Sequence, residues 1–302
     1  MADLRSEELS LIVEEVVRRV TAILNAPAST TPSVQAVVSQ PHDAQTCECP
    51  DCTEARTRMS KEMLEQGASR VVCTSVKGLQ CENLAQFIDH TLLKPNATEK
   101  EIEKLCHEAI QYKFASVCVN TSYVELCARL LSGTGVRVCA VVGFPLGAMS
   151  TDAKAFETRD AIGHGADEID MVINVGKLQS GNYAYVYDDI RAVVKAAAGH
   201  VVKVILETGL LNNDQKIAAC VLAKAAGADF VKTSTGFGHG GATAEDVALM
   251  RRIVGEDMGV KASGGIRDCS TAQEMIQSGA SRIGASASVA IVKGSKDSRS
   301  GY

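Results

Sequence analysis

Two lysines and an aspartate interrupt the most apolar stretches of this chain. Lys203 stands inside Val201-Val202-Lys203-Val204-Ile205-Leu206-Glu207, and Lys232 inside Asp229-Phe230-Val231-Lys232-Thr233-Ser234-Thr235-Gly236. Asp170 takes the same place in Asp167-Glu168-Ile169-Asp170-Met171-Val172-Ile173. Runs this apolar read as strands buried on both faces of a parallel sheet. An ammonium held there must reach water, find a partner or give up its proton, because burying it alone costs several kcal/mol. A lysine that gives up its proton is a nucleophile. Side chains alternate along a strand, so Asp170, Lys203 and Lys232 converge on one pocket if their strands are neighbours. Such a cluster is an amine catalyst. The competing explanation is packing, since a strand lysine bridged to a carboxylate also satisfies both charges. Three polar interruptions of the most apolar strands favour catalysis.

The elements that carry these residues are regular. From about Asn83 onward, strand-like runs alternate with amphipathic helical runs eight times. The pattern predicts strands over Phe87 to Thr91, Ala115 to Asn120, Arg137 to Gly143, Glu168 to Ile173, Val201 to Glu207, Phe230 to Thr235, Val260 to Ser263 and Arg282 to Ala285. Helices are expected to begin near Thr98, Ser122, Asp152, Tyr183, Asn213, Ala244, Thr271 and Ser288, several behind Asn, Ser or Thr caps. Eight βα units in this length predict an α/β fold, a (β/α)8 TIM barrel. An open doubly wound sheet is the second choice, because no G-x-G-x-x-G opens the first helix.

A barrel does its chemistry at the C-terminal ends of its strands. Asp89 and Thr91 fall there in the first strand, Asn120 in the second, and Asp170, Lys203 and Lys232 in the fourth to sixth. Lys261, in the seventh, is a third strand lysine that spacing alone does not rank below the others. Glycines follow the sixth and seventh strands at Gly236 and at Gly264-Gly265, and Gly284-Ala285-Ser286-Ala287-Ser288 runs from the eighth strand into its helix. Backbone N–H groups in such loops bind a phosphate dianion without a basic side chain. Tight turns that need glycine for their geometry are the alternative.

Ahead of the barrel, Ser6 to Leu24 places Leu9, Ile12, Val13, Val16, Val17, Val20, Ile23 and Leu24 at helical spacing. Residues 1–25 are therefore expected to form an amphipathic helix. Residues 26–80 read as a Pro/Ser/Thr-rich linker with a cysteine-rich segment, 81–297 as the barrel and 298–302 as a flexible tail. Within Cys47-Glu48-Cys49-Pro50-Asp51-Cys52, the Cys49-x-x-Cys52 pair has the spacing of half a zinc site, but no partner pair lies nearby.

Composition excludes several functions. The chain has 302 residues, 46% hydrophobic and 22% charged, which is a globular balance. A net charge of −5 and 4% aromatic residues without tryptophan offer no surface for nucleic acid. No apolar run is long enough for a membrane span, and the first residues lack a secretory pattern. Eleven cysteines, scattered through helix-like and strand-like segments at positions such as Cys106, Cys118, Cys127, Cys139 and Cys220, read as buried thiols in a reducing cytoplasm.

Five motifs, in order, complete the picture. Phe87-Ile88-Asp89-His90-Thr91-Leu92-Leu93-Lys94-Pro95, Gly165-Ala166-Asp167-Glu168-Ile169-Asp170, Val202-Lys203-Val204-Ile205-Leu206-Glu207-Thr208-Gly209, Phe230-Val231-Lys232-Thr233-Ser234-Thr235-Gly236 and Lys261-Ala262-Ser263-Gly264-Gly265-Ile266-Arg267 are similar to those of the deoxyribose-phosphate aldolases. The resemblance covers about Leu84 to Lys293. It implies a metal-free, cofactor-free class I aldolase on a (β/α)8 barrel, usually a homodimer or homotetramer. Such an enzyme reversibly cleaves 2-deoxy-D-ribose 5-phosphate to D-glyceraldehyde 3-phosphate and acetaldehyde. Carried onto matching positions, it makes Lys203 the Schiff-base lysine, Lys232 the lysine that lowers its pKa, and Asp170 the proton relay. Asp89 and Thr91 match positions near the substrate's hydroxyls, and Gly236, Gly264, Gly265 and Ser286 match the phosphate cradle. Where some members have two adjacent serines, this chain has Ser286-Ala287, with Ser288 as a possible replacement. Tyr302 matches a terminal tyrosine that assists proton transfer in some members. Residues 6–24 resemble an encapsulation peptide that docks on microcompartment shell or cargo proteins; folding back on the barrel, oligomerisation and lying on a membrane are the alternatives. Another phosphosugar class I aldolase on the same barrel, or a non-catalytic assembly protein, remain as other functions. Cys118, near the barrel mouth, is expected to capture the unsaturated aldehyde that acetaldehyde forms by self-condensation.

Overall fold

A computed structural model describes residues 6–25, 80–238 and 240–295. The linker, the Cys47/Cys49/Cys52 segment and Tyr302 lie outside the described residues, apart from Gln80 at the linker's end. The chain runs α1 (Ser6–Asn25), a 3-10 turn (Cys81–Phe87), β1 (Ile88–Leu92), α2 (Glu99–Tyr112), β2 (Ser116–Val119), α3 (Val124–Leu131) and β3 (Arg137–Val142). It continues α4 (Thr151–Gly163), β4 (Glu168–Val172), α5 (Val175–Gln179), α6 (Tyr183–Ala196), β5 (Val201–Ile205), α7 (Asn213–Ala225) and β6 (Phe230–Lys232). It ends α8 (Ala244–Val254), β7 (Gly259–Ser263), α9 (Cys269–Gln277), β8 (Arg282–Ala285) and α10 (Ser288–Val292). Each strand pairs in parallel with the next, and β8 closes on β1. This is the expected (β/α)8 barrel.

Alternation along each strand sorts its residues into two environments. Val117, Val138, Ile169, Val202, Val231, Val260 and Ile283 join the main apolar core with helix residues such as Ile102, Leu105, Ile190 and Val193. The residues between them in sequence point into the barrel, and there the strands carry Asp89, Cys118, Cys139, Glu168, Asp170, Lys203, Lys232, Lys261 and Arg282. Barrel interiors are ordinarily filled with branched apolar side chains. Here the filling is charged. Phe230 seals part of it, its ring so close to Gly259 that a Cβ there would meet it at 2.1 Å.

Helix starts follow the capping signals. Thr98 with Glu101 and Asn212 with Gln215 form reciprocal capping boxes at α2 and α7, and Thr243 and Asp268 accept from the backbone of Asp246 and Thr271. Two strands, β5 and β6, stop two or more residues earlier than their apolar pattern predicts. Glu207 adopts φ +57°, which ends β5. Past Lys232 the chain leaves the ladder, and the Thr235 N–H donates to Glu207 Oε2 at 3.2 Å.

The N-terminal helix is not free. α1 packs on α6 and α7, with Val13 fully buried, Val17 partly so and Thr21 Oγ1 donating to Asp214 Oδ1 at 2.8 Å. Of the alternatives for this helix, folding back on the barrel describes its observed position. A second correction concerns the thiols. Cys106, Cys118, Cys127, Cys139 and Cys220 are buried and free as expected, but Cys81 and Cys269 form a disulfide. The 3-10 turn packs against α9 and α10 and joins positions 188 residues apart, which no sequence spacing signals.

Candidate active site

The inward charges of β1, β4, β5, β6, β7 and β8 form one connected network around Asp170. Lys203 Nζ donates to Asp170 Oδ1 at 2.8 Å, while Lys232 Nζ at 2.8 Å and Lys261 Nζ at 2.7 Å share Oδ2. Register explains the first contact, since Asp170 and Lys203 are direct partners across β4 and β5. Lys232 pairs with Ile205 and so sits two residues nearer the mouth than Lys203.

A second tier lies beside it. Lys203 Nζ is 2.6 Å from Glu168 Oε2 and 3.9 Å from Asp89 Oδ2, and Lys261 Nζ is 2.5 Å from Asp89 Oδ2. Arg282 Nη1 closes the circuit at 2.7 Å from Asp89 Oδ1 and 3.2 Å from Glu168 Oε2. Arg137 Nε lies 3.1 Å from Glu168 Oε1, so three carboxylates face three lysines and two arginines, a local excess of two positive charges. An anionic substrate suits that excess.

Burial and opposing partners compete to set the charges in this network. Burial opposes the charge on Lys203, yet Asp170 and Glu168 outweigh it and hold the amine above its ordinary value in the resting site. Among the neighbouring cations, Lys261 works against these carboxylates. Lys261 is likewise held above its ordinary value, against burial, by Asp170 and Asp89. Burial disfavours the Asp170 carboxylate, but Lys203, Lys232 and Lys261 together keep it ionised far below the usual range. Asp89 and Glu168 are depressed in the same way, burial being outweighed by Arg282 and Lys261 at Asp89 and by Lys203 and Arg282 at Glu168.

The strand-end residues divide between the network and the rim. Asp89 is deep, its Oδ1 taken by Arg282 and the Ser116 hydroxyl, both at 2.7 Å, while its Oδ2 pairs with Lys261 through charge. Thr91 donates its hydroxyl to the Asp89 carbonyl at 2.8 Å, and Asn120 donates to the Leu93 carbonyl at 3.3 Å. Thr91 is turned to its own strand, while Asp89 Oδ2 accepts no hydrogen bond and faces the lysines. Gly236, Gly264 and Gly265 have φ of +85°, +90° and +80° in the loops after β6 and β7, and Ser286 is exposed after β8. A substituent at Gly264 would meet Gly241 Cα at 3.1 Å, so glycine is required there. Ser288 does not replace the missing second serine. It is buried, and its hydroxyl donates to the Ala285 carbonyl at 2.8 Å.

Four participants have no assigned role in the sequence reading. Glu168 and Arg282 are visible only through alternation, two residues before Asp170 and at the first position of β8. Ser234 Oγ and Thr208 Oγ1 are buried hydroxyls without a partner in the loops after β6 and β5. Buried hydroxyls are ordinarily paired, so these two donors are open to water or to a ligand at the mouth. An open cleft nearby is lined by Pro145, Leu146, Val172, Leu210 and Phe237, with Glu207 and Thr235 as its polar members.

Residues 83–295 match the model of the DeoC/LacD family aldolases. The chain belongs to this family. Among relatives in it, a deoxyribose-phosphate aldolase of Clostridium perfringens is 61% identical over 214 residues, 70% of this chain and 96% of the relative. One from Halalkalibacterium halodurans is 62% identical over 216 residues, 71% of this chain and 96% of the relative. The solved deoxyribose-phosphate aldolase of Aeropyrum pernix, described as tetrameric, superposes with a TM-score of 0.66 at 35% identity, covering 78% of this chain and 97% of that one. DeoC/LacD membership agrees with an amine site in a barrel. The extension that carries α1 lies outside the matched residues.

Proposed function

We propose that this DeoC/LacD aldolase cleaves 2-deoxy-D-ribose 5-phosphate to D-glyceraldehyde 3-phosphate and acetaldehyde, and runs the reverse addition, through an imine on Lys203. The observation that carries the reading is Lys203 Nζ held between Asp170 Oδ1 and Glu168 Oε2 at 2.8 and 2.6 Å. A proton leaving the amine has an acceptor on either side, and the neutral amine then adds to the C1 carbonyl. Loss of water gives an iminium that draws electrons from the C2–C3 bond as the C3 hydroxyl loses its proton. D-Glyceraldehyde 3-phosphate departs, the enamine carbon is protonated, and water releases acetaldehyde and the amine. Asp170 is the relay for these protons, through a water molecule, and Lys232 and Lys261 keep it anionic between transfers.

The phosphate end of the substrate fits the glycine loops at Gly236, Gly264 and Gly265 with the Ser286 hydroxyl. Ser234 adds a buried donor beside Gly264, its Cβ 3.4 Å from where a Gly264 side chain would begin. Residues 81–297 are the catalytic unit in this reading, acting as a cytoplasmic homo-oligomer without metal, and Tyr302 in the 298–302 tail assists proton transfer. Residues 6–24 reach shell or cargo proteins through Leu11 and Ile12, which are exposed while Val13 is not.

Borohydride reduction in the presence of acetaldehyde tests the chemistry, with peptide mass mapping to find the ethyl group. Lys203 is expected to carry it. Label on Lys232 or Lys261 would overturn the assignment, and turnover of ketose bisphosphates in place of deoxyribose 5-phosphate would overturn the substrate.

A further inference from the structure

The aldol chemistry leaves two thiols of this site unused. Cys118 in β2 and Cys139 in β3 are direct partners in the register of neighbouring parallel strands, and both are fully buried inside the barrel. Neighbouring strands lie about 4.8 Å apart. That spacing falls within the Cα separation of about 4.4–6.8 Å that a disulfide spans. The two sulfurs already lie within 4.8 Å of each other and of an Asp170 oxygen. Cys139 Sγ is 3.1 Å from Asp170 Oδ1 and 3.3 Å from Lys203 Nζ, and Cys118 Sγ is 4.0 Å from Asp170 Oδ2.

We propose that Cys118 and Cys139 are a peroxide-reactive dithiol that closes into a reversible disulfide and switches the lysine site off. Access follows from function: an aldehyde carbon that reaches Lys203 Nζ comes within a few ångströms of the Cys139 sulfur, and hydrogen peroxide is as small as acetaldehyde. The thiols have different roles. A hydrogen bond with Cys139 pulls the Cys118 thiol below its ordinary value, while burial and that same bond push Cys139 well above it. The Cys139 S–H is held by Asp170 and its sulfur by Lys203, which leaves Cys118 to attack and Cys139 to resolve.

The Cys118 thiolate attacks one peroxide oxygen, the O–O bond breaks, and the departing hydroxide takes up a proton to become water. The sulfenic acid on Cys118 is then attacked by the Cys139 sulfur, which gives up its proton as the S–O bond breaks and a second water leaves. The two sulfurs lose two electrons and the peroxide gains them. Closure removes the S–H that Cys139 offers to Asp170 and draws its sulfur away from Lys203, so the relay loses a contact on the oxygen that faces the nucleophile.

The test is graded hydrogen peroxide on the full chain, with non-reducing peptide mass mapping and aldolase assays before and after dithiothreitol. The expected result is a Cys118–Cys139 cross-linked peptide, lighter by two hydrogens, that accumulates in step with loss of activity and disappears as dithiothreitol restores it. Cys139→Ser should instead leave Cys118 to proceed to a sulfinic acid that dithiothreitol does not reverse. A bridge between Cys106 and Cys127, the other hydrogen-bonded thiol pair, would overturn the proposal. So would the absence of any new bridge, or reversible inactivation that persists in Cys139→Ser. Loss of activity rests on the aldolase reading, whereas the bridge is read by mass alone, so a wrong substrate assignment leaves the cross-link measurable.

Discussion

Glu168 Oε2 lies 2.6 Å from Lys203 Nζ, closer than the Asp170 oxygen on the other side of the amine at 2.8 Å. Attack on a carbonyl needs the neutral amine, and these carboxylates hold Lys203 above its ordinary value. The rate kcat/KM should therefore climb with pH across the neutral and alkaline range. Removing the Glu168 charge weakens the hold, so Glu168→Gln should move the ascending limb of the pH–rate profile to lower pH. A limb that stays in place, measured on folded protein, rules out Glu168 as a partner that sets the amine's charge.

Asp170 is the shared anion of three lysines, and Asp170→Asn leaves Lys203, Lys232 and Lys261 without it. Breaking a buried pair from one side costs about 3–5 kcal/mol. The variant should show a lower unfolding midpoint in urea as well as a rate reduced by orders of magnitude. The pH dependence follows from the signs. Asp89, Glu168 and Asp170 are depressed, so their stabilisation is present above the ordinary carboxylate range of about 4 and fades as pH falls through their folded values. Lys203 and Lys261 are raised, so theirs is complete below about 10.5 and fades as pH rises through their folded values. Thermal melts of the unsubstituted protein should show a plateau between those limits, and Asp170→Asn should flatten its acid edge.

What the chain reveals unaided divides along physical lines. Eight periodic units, the lysine and aspartate interruptions and the capping residues are local patterns, so the barrel and the cluster of Asp170, Lys203 and Lys232 are legible. Glu168 was hidden because a carboxylate at the start of a strand reads as a turn residue, and Arg282 because it opens β8. The charge on Lys203 depends on distances between six strands, which no spacing encodes. The same limit applies to Cys81 and Cys269, which only the packing of the 3-10 turn on α9 and α10 brings together.

Lys154 and Asp189 form a buried ion pair outside the site, at 2.5 Å between α4 and α6. Lys154 Nζ also donates to the Val172 carbonyl at 2.9 Å, which anchors the mouth end of β4 two residues beyond Asp170. Lys154→Met strands the Asp189 carboxylate with Thr151 as its remaining hydrogen-bond donor, at 2.9 Å. The expected loss is about 3–5 kcal/mol, and Lys154→Met with Asp189→Leu should recover much of it. A double variant no better than the single one would show that the carbonyl contact, and not the stranded charge, dominates.

Cys118 is buried 4.0 Å from Asp170 Oδ2, with its thiol below the ordinary value through its hydrogen bond with Cys139. A thiol whose ionisation is eased in this way is the expected acceptor for an unsaturated aldehyde formed from acetaldehyde. Cys118→Ala should keep its activity longer in concentrated acetaldehyde than the unsubstituted protein, measured as a half-life. Equal half-lives would assign inactivation to another residue.

The N-terminal helix can be tested by separating its inner face from its outer one. Val13 is fully buried against the barrel helices, and Thr21 bonds Asp214 in the first turn of α7, whereas Leu11 is 66% exposed. A carboxylate forced into an apolar contact loses its hydration without gaining a partner. If α1 is part of the folded barrel, Val13→Asp should lower the melting temperature and Leu11→Asp should leave it within error. If the helix serves instead to dock on a shell, a fusion of residues 1–46 to a fluorescent protein should co-localise with shell proteins. Leu11→Glu with Ile12→Glu should then abolish that association. The two outcomes are compatible, because different faces carry them. A melting temperature indifferent to Val13→Asp would mean that α1 contributes nothing to the barrel's stability in solution. A fusion that remains diffuse beside an assembled shell would leave barrel packing as the helix's only role.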